Sequence, residues 1–259
     1  MIFLLQRIKI ARALAKTKVT FFTLVIFQMV LPLQRLLFKR EYFPVRVTVA
    51  LSNNKAFRCV ISDLSDLAVL KDIILEKEYE SPFLIAPKTI VDIGCNTGLS
   101  TIYFHTMYPQ ASIVGFEPNP FIQKVLYKNC KQIPMLQLYQ SAVGGISGQA
   151  TFYIHTKSTK SSSFEMRDKK AQAVTVSVVT LDDILPGESI DLLKLDVEGA
   201  EFSILENGAL SRINSIIAEI HEDIANRSVK ELQEICERTH EVKLRSIGKG
   251  RYMLYARKK

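Results

Sequence analysis

Cysteine is scarce in this chain, and its cysteines lie far apart. The 259 residues contain four of them, Cys59, Cys95, Cys130 and Cys236, and no two form a Cys-x-x-Cys pair. This spacing indicates neither a disulfide framework nor a zinc site. We therefore expect a protein of the reducing cytoplasm. The length predicts one sizeable core, in one domain with an attachment.

Acidic residues are absent from the first 40 positions. That segment carries eight basic residues, so the remaining 26 basic residues of the chain face 26 acidic ones, and the net charge of +8 belongs to this arm. A nucleic-acid-binding protein would carry a basic face on its folded domain. The neutral body therefore argues against nucleic acid as a partner.

A long apolar run is also missing. The apolar stretch 19–33 is interrupted by polar residues and is shorter than the roughly 20 residues that a spanning helix needs. Basic residues follow it, without the small-residue cleavage site of a signal peptide. We expect residues 1–41 to form a helical extension, amphipathic or re-entrant, at the inner face of the membrane, with its cations near anionic lipid. The alternatives are a helix packed on the folded domain or on another subunit, and a true membrane span.

The stretch 89–120 organises the rest of the chain. Its sequence is TIVDIGCNTGLSTIYFHTMYPQASIVGFEPNP, which predicts a strand, a glycine turn, a helix and a second strand. Gly94 and Gly98 let the backbone reverse tightly and approach a ligand closely, because neither has a Cβ. Glu117 ends the second strand, where a carboxylate is suited to accept hydrogen bonds from the hydroxyls of a ribose. The pattern predicts a pocket for a nucleoside cofactor.

The Gly-x-x-x-Gly spacing favours one such cofactor. Dinucleotide sites favour Gly-x-Gly-x-x-Gly, which brings a pyrophosphate to a helix N-terminus. Asp92, just before the turn, would repel a pyrophosphate but would receive the ammonium group of S-adenosylmethionine. Two alternatives stay open: a plain βα turn with Glu117 as a solvated strand end, and a nicotinamide-dependent dehydrogenase. Cys95 is expected to be a small turn residue rather than a nucleophile.

A second set of ionisable residues follows in 190–209, IDLLKLDVEGAEFSILENGA. An apolar strand ends at Asp196, and Glu198 and Glu201 come close behind it. Asp196 and Glu198 are suited to coordinate a hard cation such as Mg²⁺, or to hold an acceptor hydroxyl. Glu201 is expected to open a helix, where an acid suits the helix dipole.

Glu219 and His221 lie at the end of the next strand, 215–220. They alternate with Ile220 and therefore point to the same side of the strand. Imidazole has the pKa best suited to taking a proton near neutrality. The expected general base is thus His221, or Asp196 with or without Mg²⁺. The alternative is a capped strand end before a helix over 229–238.

Residues 42–88 precede this core. They are expected to form two short strands and a helix over 63–80 capped by Ser62 or Ser65, and to cover the core domain of residues 89–259.

Three further segments complete the sequence. The loop 141–145 after the third strand is expected either at the adenine or as a simple turn. The polar segment 156–172 predicts either a mobile flap over the acceptor or a solvated hairpin loop. Strands near 242–247 and 251–256 are expected to close the chain as an antiparallel hairpin.

These motifs together resemble a known family. VDIGCNTGLSTIYF, GFEPNP, SAVGG, TLDDIL and LLKLDVEGAE are similar to the motifs of the FkbM family of S-adenosylmethionine-dependent methyltransferases. The resemblance covers residues 78–222, and its last motif is the most specific. It implies the class I methyltransferase fold, a Rossmann-like, doubly wound α/β sheet of seven strands with an antiparallel last strand. It also implies O-methylation of a hydroxyl on a sugar, glycolipid or polyketide.

The resemblance implies residue roles as well. It places Asp92, Gly94 and Gly98 at the methionine end of the cofactor, Glu117 at the ribose and Ala142 at the adenine edge. The other expected cofactor contacts are Asn96, Thr97, Pro118, Ser141 and Asp196. The residues expected to face the acceptor or carry the chemistry are Asp196, Glu198, Glu219 and His221.

Two alternatives to a small-molecule methyltransferase stay open. One is a non-catalytic, membrane-associated adaptor on a methyltransferase scaffold, and the other is a nucleic-acid or protein methyltransferase. The neutral body and the absence of an Asn/Asp-Pro-Pro-aromatic motif after the fourth strand count against the second.

Overall fold

A computed structural model describes residues 2–38, 44–51, 54–83, 86–154, 162–164, 166, 169–185, 189–248 and 250–259. The chain divides into two compact units, each discontinuous in sequence. Unit 1 consists of Met1–Tyr79, Thr97–Pro109 and Val125–Ile133, and unit 2 consists of Glu80–Asn96, Gln110–Lys124 and Pro134–Lys259. The contiguous segments 1–41, 42–88 and 89–259 stay a prediction about domain organisation.

The helices and strands follow one another along the described chain. The helices are α1 (Ile2–Leu14), α2 (Lys18–Phe38), α3 (Leu64–Ile74), α4 (Leu99–Met107), α5 (Gln123–Cys130), α6 (Leu181–Ile184), α7 (Glu201–Asn207), α8 (Glu222–Ala225) and α9 (Val229–Glu237). The strands are β1 (Val45–Ala50), β2 (Ala56–Ile61), β3 (Thr89–Ile93), β4 (Ser112–Phe116), β5 (Leu136–Tyr139), β6 (Ala142–Val143), β7 (Gly148–Ile154), β8 (Ser162–Ser163), β9 (Gln172–Val179), β10 (Ile190–Leu195), β11 (Ile213–His221), β12 (His240–Gly248) and β13 (Arg251–Lys258).

Unit 1 contains the expected pair of short strands and the helix after them. β1 and β2 pair antiparallel. The cap of α3 is Asp63, whose carboxylate accepts hydrogen bonds from the backbone N–H groups of Ser65 and Asp66, so the expectation of Ser62 or Ser65 as the cap is wrong. The helix also ends earlier than expected, at Ile74, and Lys77 beyond it has a left-handed φ of 56°. A left-handed residue cannot continue a right-handed helix.

The amino-terminal helices pack within unit 1. The backbone of β1 is tied to them by two hydrogen bonds, from Lys16 N to Thr48 O at 3.0 Å and from Thr48 N to Thr20 Oγ1 at 3.1 Å. Leu14 and Leu24 are fully buried. Among the described residues, no helix combines the length and the apolar character needed to cross a membrane. Residues 39–41, the end of the expected extension, lie outside the described residues.

Unit 2 is built on a seven-stranded sheet in the order β12-β13-β11-β10-β3-β4-β5. The five strands from β11 to β5 are parallel, and β13 runs antiparallel to both β11 and β12. The expected class I methyltransferase sheet with an antiparallel last strand is confirmed, as is the terminal hairpin. The strand order reverses between β3 and β10, and ligands of doubly wound sheets bind beyond the carboxyl ends of strands at such a point.

A second sheet of unit 2 has the order β6-β9-β7-β8. β7 and β9 pair antiparallel, whereas β6 occupies part of the expected loop 141–145 and pairs parallel with β9. Of the expected flap 156–172, residues 156–161, 165, 167 and 168 lie outside the described residues. The described part includes β8, which pairs antiparallel with β7.

Candidate active site

The glycine turn after β3 holds strand ends of the large sheet together. Gly94 N and Cys95 N donate to Phe116 O at 2.9 and 3.1 Å, and Asp196 N donates to Ile93 O at 3.1 Å. Gly94 has a φ of +78°, and a Cβ on it would lie 1.8 Å from Asp196 O. Only glycine allows this backbone approach at this φ. The Cys95 thiol is buried and donates to Phe116 O at 3.2 Å, as expected of a turn residue.

Glu117 ends β4 with its carboxylate buried. Asn96 N donates to Glu117 Oε2 at 2.8 Å and Asn119 N donates to Glu117 Oε1 at 2.9 Å. Burial raises the pKa of Glu117 to about 7 and the charge of Asp196 adds to this, while the two N–H groups and the charge of Lys194 oppose it. Each carboxylate oxygen retains capacity to accept a further hydrogen bond.

Lys194 is a buried residue to which the sequence analysis gives no role. Its ammonium lies 3.2 Å from Asp92 Oδ1 and donates to Gly94 O at 2.7 Å and to Ile93 O at 3.4 Å. Lys194 is opposite Asp92 in the register of β10 and β3. In the sequence, one apolar strand contains the basic residue and another contains the acidic one. The sequence does not show that these strands pair, and only their pairing makes the two residues partners. The Lys194 ammonium thereby fixes the carbonyl groups of the glycine turn.

Eight of the expected site residues line one cavity of unit 2, with about 540 Å³ of empty space that includes open solvent. The expected residues that line it are Gly94, Asn96, Glu117, Pro118, Ser141, Ala142, Asp196 and Glu198. Val143, from the loop 141–145 expected at the adenine, also lines it, and the remaining lining residues are Ile93, Phe116, Phe152, Phe164 and Val197.

The second sheet supplies one apolar wall of this cavity. Ala142, Phe152 and the nearby Phe164 belong to the small hydrophobic cluster of that sheet, and the rings of Phe152 and Phe164 meet edge to face at 5.3 Å. Phe116 stacks on Tyr139 at 5.2 Å. No sequence motif marks Phe152 and Phe164, because their convergence depends on how β7, β8 and β9 pair.

Five expected site residues do not line the cavity in the described chain: Asp92, Thr97, Gly98, Glu219 and His221. Asp92 is fully buried against Lys194. Thr97 and Gly98 belong to unit 1, where Thr97 Oγ1 donates to Asp66 Oδ1 at 2.7 Å. Direct contact of these three residues with a cofactor stays a prediction.

Glu219 and His221 form a cluster with Asp196, in which one ligand atom from each lies within 4.8 Å of the others. His221 Nδ1 lies 2.8 Å from Glu201 Oε1, and His221 Nε2 lies 3.4 Å from Glu219 Oε1. Glu201 is fully buried and also accepts from Gly199 N at 3.1 Å. Besides opening α7 as expected, Glu201 therefore anchors both the loop after Asp196 and the imidazole.

The charges in this cluster determine the protonation of the imidazole. Burial alone would lower the pKa of His221, but hydrogen bonds to Glu201 and Glu219 and the negative charges of Glu201 and Asp196 outweigh it and raise this pKa to about 11. Burial and the charge of Asp196 raise the pKa of Glu219, against the opposing effects of His221 and Arg251. At neutral pH His221 is an imidazolium, which donates from both nitrogens and has no lone pair for a proton.

The same cluster bears on the expected magnesium site. The described residues that could together hold an ion are Asp196, Glu219 and His221, rather than Asp196 with Glu198. Magnesium prefers an octahedral set of oxygen ligands. Both His221 nitrogens face carboxylates, and Glu198 Oε2 lies 3.9 Å from His221 Nε2. The imidazolium supplies the positive charge at the centre of these carboxylates, so the donor set does not fit magnesium.

Comparison with known proteins addresses the family directly. The model of the methyltransferase FkbM domain matches residues 92–242, more than half of the chain. The chain belongs to the FkbM methyltransferase family. The resemblance expected from the motifs is thereby confirmed, and the matched region includes the glycine turn, Glu117 and the Asp196 cluster.

Characterised relatives of this FkbM chain are distant. It is 29% identical over 160 residues to Methyltransferase 1 of Beauveria bassiana, covering 52% of this chain and 64% of that protein. It is 29% identical over 181 residues to methyltransferase sdnD of Sordaria araneosa, covering 56% and 70%. It is 25% identical over 162 residues to the 2-O-methyltransferase NoeI of Sinorhizobium fredii, covering 56% and 64%. The chain thus spans 64–70% of the length of these relatives.

Among solved structures, the chain is similar to an O-methyltransferase family protein from Burkholderia thailandensis. The TM-score is 0.47 at 10% identity, with 75% of this chain and 58% of that chain covered.

Proposed function

We propose that this chain transfers the methyl group of S-adenosylmethionine to a hydroxyl oxygen of a small-molecule acceptor such as a sugar, a glycolipid or a polyketide. The observation that carries the proposal is the Asp196 carboxylate, which lines the apolar cavity and lies beside an imidazolium. The relative NoeI is a 2-O-methyltransferase, which supports an oxygen acceptor. Unit 2 is nearly neutral, with 19 basic and 20 acidic residues, which argues against a nucleic-acid substrate.

The residues of the cavity fit this cofactor. Because Gly94 has no side chain, the backbone of the turn is accessible to the cofactor. Glu117 has carboxylate oxygens that can accept hydrogen bonds from two ribose hydroxyls. Ser141 and Ala142, with the neighbouring aromatic rings, form a wall suited to adenine. When bound, S-adenosylmethionine supplies a methyl group on a sulfonium. Asp92 contributes to cofactor binding indirectly. It pairs with Lys194, which donates to the Gly94 carbonyl of the turn, and does not bind the ammonium group directly.

The acceptor hydroxyl is a poor nucleophile until its proton is removed. We assign the proton-accepting role to a carboxylate oxygen of Asp196 and not to His221, because the imidazolium already holds its proton. His221 acts as a positioning residue, since its ring nitrogens face Glu201 and Glu219 and hold their carboxylates in place. Phe116, Phe152 and Phe164 line the cavity with apolar surface, which favours loss of water around the reacting groups when cofactor and acceptor bind.

Cofactor binding and turnover of the full chain test this function. Thermal unfolding with S-adenosylmethionine, S-adenosylhomocysteine or NAD should show stabilisation by the two sulfur compounds only, by about 5–10 °C at 100 times the dissociation constant. Transfer of a labelled methyl group to lipid-linked and soluble glycans then identifies the acceptor.

Asp196→Asn should lower turnover by about 10²- to 10⁴-fold, the usual effect of losing a general base. It should keep the thermal shift with S-adenosylmethionine. The matched control is Asp223→Asn, which replaces an acid just beyond β11 that is not among the cavity-lining residues and should be close to wild type. Near wild-type turnover of Asp196→Asn would contradict the assignment of the base. Cofactor binding without transfer to any acceptor would favour the non-catalytic adaptor.

A further inference from the structure

Helix α2 of unit 1 has apolar side chains on two opposite faces. One face is buried and includes Leu24 and Phe27. The opposite face exposes a line of residues, which we call the α2 stripe: Val19, Phe22, Ile26 and Met29, with 76, 59, 57 and 47% of their surfaces accessible. The spacings of three, four and three residues place them along one side of the helix. A helix that is apolar all round is normally enclosed on all sides by protein or lipid.

The buried face fixes which side of α2 points outward. Gln28 Nε2 donates to Arg7 O at 3.2 Å and thereby ties α2 to α1. Thr20 Oγ1 accepts from Thr48 N of β1 at 3.1 Å. With this face attached to its own unit, the α2 stripe is held on the outside.

The segment that precedes the α2 stripe in the chain is cationic. Lys9, Arg12, Lys16 and Lys18 are exposed along α1 and at the start of α2. Unit 1 as a whole has 15 basic and 6 acidic residues, a net charge of +9, whereas unit 2 has a net charge of −1. The whole positive charge of the protein is therefore on the unit that carries the stripe.

A second group of cations lies elsewhere on unit 1. Its cleft beside β1, β2 and the end of α5 has only basic charged residues in its lining: Arg46, Arg58, Lys128 and Lys131. All four are exposed. Exposed cations of this kind attract anionic headgroups over about a Debye length.

We propose that unit 1 docks on an anionic membrane surface, with the α2 stripe inserted among the lipids and its cations at the headgroups. A helix face is convex, which suits insertion into the interface. A second copy of the chain is a poorer occupant, because it would bring another unit of charge +9 against the first. The proposal concerns unit 1 and holds whether or not unit 2 methylates a hydroxyl.

A single-tryptophan variant tests insertion directly. The chain contains no tryptophan, so Phe22→Trp places one reporter on the stripe of the otherwise unchanged full chain. Its emission should shift to the blue with vesicles of two parts phosphatidylcholine to one part phosphatidylglycerol. The shift should be absent with phosphatidylcholine alone and should weaken as salt is added. Unchanged emission with the anionic vesicles would overturn the proposal.

Vesicle flotation of variants with two substitutions tests whether membrane binding requires the α2 stripe or any exposed apolar surface. Phe22→Ser with Ile26→Ser should lower binding to the anionic vesicles at least tenfold. The matched control is Ile146→Ser with Met166→Ser, two exposed apolar residues of unit 2, which should leave binding unchanged. Lys16→Gln with Lys18→Gln should also weaken binding. Equal binding of the stripe variant and wild type would overturn the proposal, as would a dimer in solution that the stripe substitutions dissociate and that does not bind vesicles.

Discussion

The strand ends of unit 2 bury charged side chains, whereas helix α2 of unit 1 exposes apolar ones. In unit 2, Lys194 and Asp92 are almost completely buried and form an ion pair, and Glu201 is buried against His221. In unit 1, Phe22 and Ile26 are more than half exposed. Both regions depart from the usual distribution of apolar and charged residues in a soluble protein.

The buried charges of unit 2 and the exposed apolar side chains of α2 differ in what compensates for their unfavourable free energy. A buried charge is tolerated when partners surround it, and the charges of unit 2 have those partners within the same unit. Among the described residues, nothing comparable compensates for the exposure of the α2 stripe, and the membrane docking that we propose would supply this compensation. The buried charges therefore belong to an internal site, and the exposed apolar face is the part of unit 1 that the proposal assigns to an external surface.

The largest expected effect is a loss of stability when the ion pair of Lys194 and Asp92 in unit 2 is broken. Lys194→Met leaves Asp92 as a buried carboxylate without its cation, which should lower the free energy of unfolding by about 3–5 kcal/mol. Denaturant unfolding measures this loss. Adding Asp92→Asn to Lys194→Met should restore much of the stability, because no buried charge remains. If the double variant were less stable than Lys194→Met, the unpaired charge of Asp92 would not be the cause of the loss in the single variant.

The two faces of α2 should respond differently to truncation. Leu24→Ala removes a fully buried side chain and should lower the free energy of unfolding by about 2–5 kcal/mol. Ile26→Ala, two residues away on the same helix but 57% exposed, should change it by less than about 0.5 kcal/mol. Denaturant unfolding of both variants without lipid checks the contrast. Similar losses at the two positions would mean that the stripe is packed on protein in solution.

The smallest effect expected is a pH dependence of cofactor affinity. The pKa of Glu117 is raised from 4.5 to about 7, so below pH 7 the free protein must release a proton before its carboxylate can accept from ribose hydroxyls. Affinity for S-adenosylhomocysteine should therefore fall as pH drops below about 7, approaching tenfold per pH unit. Calorimetric titration at several pH values measures this dependence. In Glu117→Gln, which cannot titrate here, binding should be weaker and the fall should disappear.

Much of unit 2 was predictable from the sequence. The glycine turn, Glu117 and Asp196 each end a short apolar run, and the carboxyl ends of parallel strands meet at one edge of a sheet. Local sequence thus places eight of the expected residues on one cavity. The family motifs lie in the same segments and imply the seven-stranded sheet with its antiparallel last strand.

Other parts of the site could not be predicted. The walls formed by Phe152 and Phe164 depend on the pairing of β7, β8 and β9, which no local pattern encodes. The prediction of Ser62 or Ser65 as the helix cap was wrong. Asp63, between them, also has a side chain that can accept hydrogen bonds from the N–H groups of the first turn. A list of compatible cap residues does not say which one the chain uses.

The family, the glycine turn and the basic arm can be assigned from the sequence alone, because each depends on residues close together in the chain, and the family in turn implies the sheet. The protonation of His221 and the partner of Lys194 follow from the tertiary structure, because a pKa and a buried ion pair depend on groups brought together from distant segments. The tertiary structure also decided which face of α2 is buried: the helix is apolar on both sides, and the contacts with α1 and β1 select one of them.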